Sequence, residues 1–338
     1  MSRRFAALGA VVVAALVAVP IAAADGPMPF ASQGGLGVTM TDGLTRIVAV
    51  GAGAAGAPQS RTELEVIQTK DGSVQNWVEL HGSWGVPVVT YSQSGAEGLS
   101  ADGKTLVLGD VVRSYPRMKS WFLVLNAKTL RITHTIELKG DFAYDALSPD
   151  GNTLYLIDHV DGTNSQRYVV RAYDLAAGRL LPGRIADRTQ KSWVMQGYPM
   201  ARTRSADGRW VYTLYSNPGG YPFVHALDTQ RGVAHCIGLP WKGSQNGFYN
   251  LQLSLRNNER TLAVHWLSGR PWFAIDTSTW HVAQDHRTGL PWLGIGAGCA
   301  AVLAAAAAFL LLRRRRRAEE IDQELSELLR LPEREVVV

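Results

Sequence analysis

The sequence predicts an all-β domain made of repeated four-stranded units, and three observations support this. A turn followed by an apolar run occurs five times, with its turn residue at Asp42, Asp102, Asp150, Asp207 and Asn257. Each such segment is followed by two β-type runs joined by a short polar turn, which is typical of a hairpin. The intervals between the turns are 60, 48, 57 and 50 residues. Four antiparallel strands at this repeat length indicate the blades of a β-propeller.

The chain begins with a segment typical of a secretory signal peptide. Arg3 and Arg4 precede an uncharged apolar run that ends in Ala22-Ala23-Ala24. A basic start, an apolar middle and an end of small residues define such peptides. We expect cleavage after Ala24, by the general secretory or the twin-arginine route, with an uncleaved anchor as the alternative.

The first repeat unit contains a glycine-rich stretch, RIVAVGAGAAG, at residues 46–56. Its G-x-G-x-x-G spacing is that of a dinucleotide-binding fingerprint, which requires a helix directly after the third glycine. Here the next β-run begins at Thr62, and five residues are too few for a crossover helix of about a dozen. We interpret the stretch as the second strand of the first unit and the loop after it, and we expect no cofactor.

The remaining units follow in order, with hairpins that start near residues 62, 120, 167, 222 and 271. A β-sandwich also strings short strands between turns, but it has no reason to repeat the same pair of hairpins in phase. We therefore expect five blades. The long spacers of units one and two leave open an extra strand or a partial sixth blade near residues 84–91.

The third unit has the most complete set of repeat residues. These are Ser148, Pro149, Asp150 and Gly151 in the turn, Leu154 and Tyr155 in the strand, and Asp174 and Gly178 in the hairpin. They resemble the YVTN family of bacterial β-propeller repeats, and the match covers most of residues 36–286 while fading in the first and fifth units. The resemblance implies a fold and no particular function, because propellers serve as enzymes, binders and scaffolds alike.

Loops on one rim of such a propeller supply candidate binding residues. The connections between second and third strands, and those between blades, are expected to frame the mouth of the central channel. They carry interspersed arginines and aromatic residues, which suit a carbohydrate, an anionic polymer or a protein. The candidates are Arg61, Arg113, Arg117, Tyr144, Trp193, Tyr198 and Tyr249. The alternative is that the arginines are solvated and the aromatic residues pack between blades.

Motifs for catalysis and metal binding are not found. The sequence has no H-E-x-x-H and no G-x-S-x-G elbow. His225 and His235 lie on opposite arms of one hairpin and form a weak candidate metal pair. We expect no catalytic residues and no metal site. The alternative is a lactonase, lyase or glycan hydrolase that assembles its site at the channel from several blades.

A predicted membrane span follows the repeats. Residues 290–312 form an uncharged run of 23 residues, and a helix rising about 1.5 Å per residue would then cross a ~30 Å hydrocarbon core. Five arginines follow at once and favour the cytoplasmic side; they are Arg313, Arg314, Arg315, Arg316 and Arg317. The predicted order is signal peptide 1–24, extracytoplasmic propeller 25–287, transmembrane helix 288–312 and cytoplasmic tail 313–338.

The positions of the charged residues and of the cysteines argue against nucleic-acid binding and against disulfide bonds. The net charge of +5 is concentrated at the two ends, so the exported domain is near neutral and nucleic-acid binding is not expected. Cys236 and Cys299 fall in different predicted segments, which excludes a disulfide framework. We expect a binding or scaffold module at a bacterial cell surface, with a protein or carbohydrate partner outside. The tail, which has a helical apolar pattern, is either a stop-transfer segment or a docking site for a cytoplasmic partner.

Overall fold

The computed structural model describes residues 29–285 except 36, 54–56, 58, 91–95, 112–114, 188 and 190–193. The predicted signal peptide, membrane span and tail therefore lie outside the described residues. Within the described ranges, no helix has the length and apolar character needed to cross a bilayer. The chain divides into two compact units, Met1–Tyr249 and Asn250–Val338, and each is described by itself.

The first unit contains four antiparallel sheets. Its strands are β1 (Phe30–Ser32), β2 (Val38–Thr39), β3 (Thr45–Ala52), β4 (Arg61–Gln68), β5 (Val74–His81), β6 (Trp84–Val88), β7 (Thr105–Asp110), β8 (Lys119–Asn126), β9 (Ile132–Lys139), β10 (Phe142–Leu147), β11 (Thr153–His159), β12 (Arg167–Asp174), β13 (Arg179–Leu180), β14 (Met195–Gln196), β15 (Tyr198–Arg204), β16 (Trp210–Ser216), β17 (Phe223–Asp228) and β18 (Val233–Gly238). A short 3-10 helix covers Phe248–Asn250.

Sheet one has the order β2-β3-β4-β5, and sheet two has the order β1-β6-β7-β8-β9. Sheet three runs β10-β11-β12-β13, with β14 also paired to β12, and sheet four runs β15-β16-β17-β18. The second unit holds sheet five, made of β19 (Leu251–Arg256), β20 (Thr261–Trp266), β21 (Pro271–Asp276) and β22 (Val282–Gln284). All five predicted hairpins are confirmed as the last two strands in the order of each sheet.

The sheets of the first unit pack face to face in chain order. One core cluster joins Ile47 and Leu64 of sheet one to Leu106 and Leu123 of sheet two. A second cluster joins sheets two and three, and a third joins sheets three and four. Strands β10 and β17 are buried along their whole length, as expected of strands covered on both faces. The outermost strands β5 and β9 are mostly exposed. This packing of successive antiparallel sheets is typical of propeller blades.

The repeated S-x-D-G turns join the first and second strands. In sheet three, the Ser148 hydroxyl donates to Asp150 Oδ1 at 2.6 Å and accepts from the backbone N–H of Thr153 at 2.9 Å. Ser100 and Ser205 make the same two bonds in sheets two and four. In sheet five, Asn257, Asn258 and Glu259 all have positive φ, and Asn257 Nδ2 donates to Thr261 Oγ1 at 3.0 Å, so the predicted Asn-Asn variant closes its turn without a serine.

The long spacer before the second turn is explained by an interrupted strand. The extra strand predicted near residues 84–91 is present as β6, but it pairs with β1 and β7 of sheet two. Its Trp84 and Gly85 face Asp110 and Gly109, and pairing with β7 resumes only at Leu99, opposite Leu106. The thirteen residues in between, 86–98, lengthen this unit. Over the described ranges, the chain forms five sheets.

Candidate functional site

The predicted rim residues occupy different environments. Arg61 is the first residue of β4 and lies 3.6 Å from Glu79, measured from Nε to Oε1. Tyr249 lies in the 3-10 helix with 59% of its surface exposed. Arg113 and Trp193 lie outside the described residues, as do the five arginines at 313–317. The glycine-rich stretch behaves as predicted, since β3 ends at Ala52 and β4 begins at Arg61.

The expected loop positions of Tyr144 and Tyr198 are wrong. Tyr144 lies inside β10 and Tyr198 begins β15, and both are buried. The first strands of sheets three and four begin earlier than the repeat alignment placed them, so these rings pack within the sheets. The Tyr198 hydroxyl accepts a hydrogen bond from Gln166 Nε2 at 2.6 Å.

Arg117 is close to the predicted rim, but its guanidinium is already occupied. Its Nε donates to Asp141 Oδ1 at 2.7 Å, and its Nη1 lies 3.5 Å from Asp110 Oδ1. His159 Nδ1 is 3.5 Å from the same Asp141 oxygen. Burial alone would raise the pKa of Asp141, but His159 and Arg117 outweigh it and lower that pKa to about 2. This network ties β8 to sheet three, so we assign Arg117 a structural role.

The histidine pair does not converge. His225 faces Cys236 across the hairpin, while His235 faces Ala226. Because neighbouring strand residues point to opposite faces, the two imidazoles lie on opposite sides of sheet four. His225 Nδ1 is instead 3.6 Å from Cys236 Sγ. In the part of the chain that the structure describes, no group of three His, Cys, Asp or Glu residues is arranged to hold a metal ion.

A cavity of about 260 Å³ lies where the first strands of sheets one, three and four meet the segment that precedes β7 of sheet two. It is lined by Val38 of β2, by Glu97 and Leu99 before β7, by Tyr144 of β10, and by Arg202 and Arg204 of β15. Turn residues Ala101 and Gly208 also line it. The cavity is therefore near the S-x-D-G turns, at the end of β15 opposite to Tyr198. The predicted rim lies at the other end of these strands, although Tyr144, one of its candidate residues, lines the cavity.

One wall of the cavity is a buried ion network around Arg202. The Arg202 side chain is 2% exposed, and its Nη1 lies 3.0 Å from Asp145 Oδ1 and 3.1 Å from Thr213 Oγ1. Its Nε lies 3.0 Å from Glu97 Oε1. Burial alone would lower the pKa of Arg202, but Glu97 and Asp145 outweigh it and raise that pKa. Burial raises the pKa of Glu97, opposed by the charge of Arg202. The guanidinium of Arg202 is thus fully engaged and holds two carboxylates in place.

Two other polar groups face the cavity with spare hydrogen-bonding capacity. Arg204 is exposed, and its guanidinium makes one long hydrogen bond, 3.5 Å from Nη1 to the carbonyl oxygen of Leu99. It forms no ion pair with a described carboxylate. Tyr144 is 6% exposed, and its hydroxyl has no hydrogen-bond partner within the described ranges. These two groups are free to contact a ligand.

One pattern in the sequence indicates this site, and it involves residues outside the predicted rim. Arg202 and Arg204 are two residues apart in a first strand, just before a turn. Residues at that spacing share one face of a strand. Two arginines on the channel-facing side of a predicted first strand therefore point to a charged cavity there. Glu97 carried no comparable signal, because it lies in an irregular segment between β6 and β7.

Comparison with known proteins yields remote structural likenesses only. No protein-family model and no curated protein sequence matches this chain. TolB from Acinetobacter baumannii is 14% identical, with 71% of this chain and 53% of that chain covered and a TM-score of 0.36. The Dos1 propeller is 10% identical, with 73% and 58% covered and a TM-score of 0.43. The Cps50 (Swd1) β-propeller domain of Myceliophteria thermophila is 11% identical, with 77% and 76% covered and a TM-score of 0.38.

This chain spans little more than half the length of TolB and of the Dos1 chain. At such identities and TM-scores, the functions of these proteins do not extend to it. The fold assignment rests on the repeated antiparallel sheets and on their packing in chain order. This chain is accordingly an all-β protein of β-propeller type.

Proposed function

We propose that the protein is a membrane-anchored, extracytoplasmic β-propeller that acts as a binding module at a bacterial cell surface and takes its ligand in the cavity of the first unit. The observation that carries the binding role is the convergence of three first strands and the segment before β7 on one cavity with charged walls. The signal-peptide pattern, the apolar run at 290–312 and the arginines after it support the location.

The cavity is suited to binding because its polar groups are fixed before a ligand arrives. Arg202 and Tyr144 project from strands within packed sheets, and the Arg202 ion pairs hold Glu97 beside them. Side chains fixed in this way lose little conformational entropy on binding. The buried Arg202 network is structural in the same way as that of Arg117, and its contribution to binding is to fix Glu97 in the cavity wall.

Catalysis at the channel has less support from the same residues. Glu97 and Asp145 are both held by Arg202, and a carboxylate paired in this way is a poor general base. No nucleophile with an adjacent base is found among the described residues that line the cavity.

A second surface belongs to the same proposal. Arg61 and Tyr249 are the predicted rim residues that remain accessible in the described ranges. We propose that they contact a protein or carbohydrate partner, and that the tail at 318–338 is the place for a cytoplasmic partner. Tyr249→Ala should then weaken capture of an external partner, whereas Trp77→Ala, at an exposed position on the outermost strand β5, should not.

A cavity-filling substitution tests the ligand site. In full-length protein, Ala96→Phe places a ring in the cavity, because Ala96 lines it. We expect this variant to lose ligand binding, measured by calorimetry, while its thermal unfolding stays close to wild type. Ala177→Phe in an exposed turn is the matched control. Equal binding by both variants would place the ligand outside this cavity.

The anchor needs a separate measurement. Protease added to intact spheroplasts should degrade the repeat domain and spare a reporter fused after Val338. Degradation of the reporter, or protection of the domain, would contradict the proposed topology.

A further inference from the structure

We infer that the cavity binds a small hydroxy-carboxylate, with its carboxylate on Arg204 and a hydroxyl within reach of Tyr144 and Glu97. This inference rests on the proposed function, because it names the ligand class of the same cavity.

The placement of the charged groups leaves one guanidinium for an anion. Arg202 is paired with both Asp145 and Glu97, each with one oxygen 3.0 Å from a guanidinium nitrogen. Arg204 lines the same cavity and balances the second carboxylate at longer range, but its guanidinium makes no ion-pair contact with a described residue and is left to bind a ligand carboxylate. A cation in a partly enclosed site attracts an anion more strongly than one in open water. The planar guanidinium also matches a carboxylate with two parallel hydrogen bonds.

The Tyr144 hydroxyl adds a directional contact. It lies on a buried side chain that lines the cavity, and no described residue accepts its hydrogen. The hydroxyl oxygen is not one of the fully enclosed polar atoms that lack a partner, so it is open to the cavity, where a ligand group can replace water as its partner. Burial raises the pKa of this tyrosine, which keeps the hydroxyl protonated and able to donate.

Glu97 limits what the rest of the ligand can be. One of its oxygens is 3.0 Å from Arg202 Nε, and the other is left to accept a hydrogen bond. A ligand hydroxyl satisfies that oxygen, whereas a second carboxylate would be repelled by it. The volume of about 260 Å³ is below the ~300–1,000 Å³ of pockets for drug-sized ligands. A monocarboxylate with one or more hydroxyls therefore fits both the charge and the size.

The test is calorimetric titration of the full-length chain in detergent at pH 7.5 with lactate, gluconate and glucuronate. Their uncharged counterparts are lactamide, glucitol and glucose. We expect at least one acid to bind and its neutral counterpart to bind roughly tenfold or more weakly, since a hydrogen bond to a charged group typically contributes that much. Malate, with a second carboxylate, should bind more weakly than lactate.

Variants identify the groups responsible. Arg204→Gln should weaken binding of the acid by roughly tenfold or more, and Tyr144→Phe by about tenfold, because it removes one hydrogen bond and leaves the ring. Arg231→Gln, at an exposed position in the β17–β18 turn, is the control and should bind like wild type. Unchanged thermal unfolding of each variant shows that the fold is intact.

The outcomes separate this inference from the proposed function. If glucose or glucitol binds as tightly as the acid and Arg204→Gln has no effect, the carboxylate assignment is wrong. Loss of the neutral ligand in Ala96→Phe would then still support a binding cavity. If none of the six compounds binds, the hydroxy-carboxylate class is wrong. If one of these compounds binds and Ala96→Phe leaves its affinity unchanged, the cavity is not the binding site.

Discussion

Ser100, Ser148 and Ser205 each close a turn with a single hydroxyl, which donates to an aspartate and accepts from a backbone N–H. These serines are buried, whereas their aspartates are partly solvated. The serine hydrogen bond lowers the pKa of Asp150 and of Asp207, so both stay ionised well into acid. At this scale, each turn needs its serine because replacing it would leave a backbone N–H without a hydrogen-bond acceptor.

Ser148→Ala should lower the free energy of unfolding by about 1–2 kcal/mol, because it leaves the N–H of Thr153 without its acceptor. Urea titration measures this. Ser73→Ala removes a similar serine–aspartate bond in an exposed turn, where water replaces the hydroxyl, and should cost less than about 0.5 kcal/mol. Equal losses in the two variants would contradict a role for burial.

His225 should make stability depend on pH. Burial lowers its pKa from 6.5 to about 4, so the folded protein binds fewer protons here than the unfolded chain does. The stabilisation from keeping it neutral is complete above about pH 6.5 and is lost as pH falls towards 4, a total of about 3 kcal/mol. We expect His225→Gln to flatten the unfolding free energy between those pH values. His134→Gln, at an exposed position on β9, should leave the pH dependence unchanged.

The elements of the first unit contact one another through their turns as well as through their faces. Asp102 N donates to the carbonyl oxygen of Pro149 at 3.2 Å, which links the turns of sheets two and three. A Cβ on Gly208 would lie 2.5 Å from Cβ of Ala101, so the turn of sheet four is equally close to that of sheet two. The glycine of the repeated turn thus has two functions, a positive φ and a close approach between sheets.

Gly208→Ala and Gly178→Ala separate these two functions. Both glycines have positive φ, +73° and +64°, but a Cβ on Gly178 meets nothing within 4 Å. We expect Gly178→Ala to cost about 1 kcal/mol from the backbone alone. Gly208→Ala should cost a further ~1–3 kcal/mol, because Ala101 must move. Denaturant titration of both variants provides the comparison. Equal costs would mean that the turns are not in close contact.

At the scale of the whole molecule, the end of sheet five is the described part of the chain that lies nearest in sequence to the predicted membrane span. β22 ends beside the β20–β21 connection, since Asp285 N donates to the carbonyl oxygen of Trp272 at 3.0 Å. That connection presents Leu267, 54% exposed, and Arg270, whose guanidinium is 5.1 Å from the Trp266 ring centre. The uncharged run of the predicted span begins at Leu290, five residues after Asp285, and five residues reach at most about 18 Å. Tryptophan and arginine at that distance suit the headgroup region of a bilayer.

We therefore expect Trp266 and Trp272 to contact lipid in reconstituted vesicles. With brominated phospholipids, the Trp266→Phe, Trp272→Phe double variant of the full-length chain should lose part of the quenched tryptophan fluorescence. Trp77→Phe, at a 61% exposed position on β5, should lose only unquenched fluorescence. An unchanged quenched fraction in the double variant would contradict membrane contact by this connection. Absence of any quenching in the wild type would contradict the anchor itself.

The sequence by itself determined the all-β class, the five turn-and-hairpin units and the position of the glycine-rich stretch at the end of one strand and in the loop after it. These features follow from local patterns, because the alternation of apolar and polar residues specifies a strand, and the turn residues specify a hairpin, within about ten residues of sequence. It also predicts the signal peptide and the membrane span, which are local patterns too.

The tertiary structure decided what the units do together. It added β1 to sheet two, placed β6 there, buried Tyr144 and Tyr198, and bound Arg117 to Asp141. The candidate site lies at the opposite end of the first strands from the predicted rim. There Arg202 contacts Asp145, which is 57 residues away in sequence, and Glu97, which is 105 residues away. Contacts at such separations leave no periodic trace in the sequence, because each depends on which sheet packs beside which. Only the folded chain determines which arginine is paired and which is free to bind a ligand.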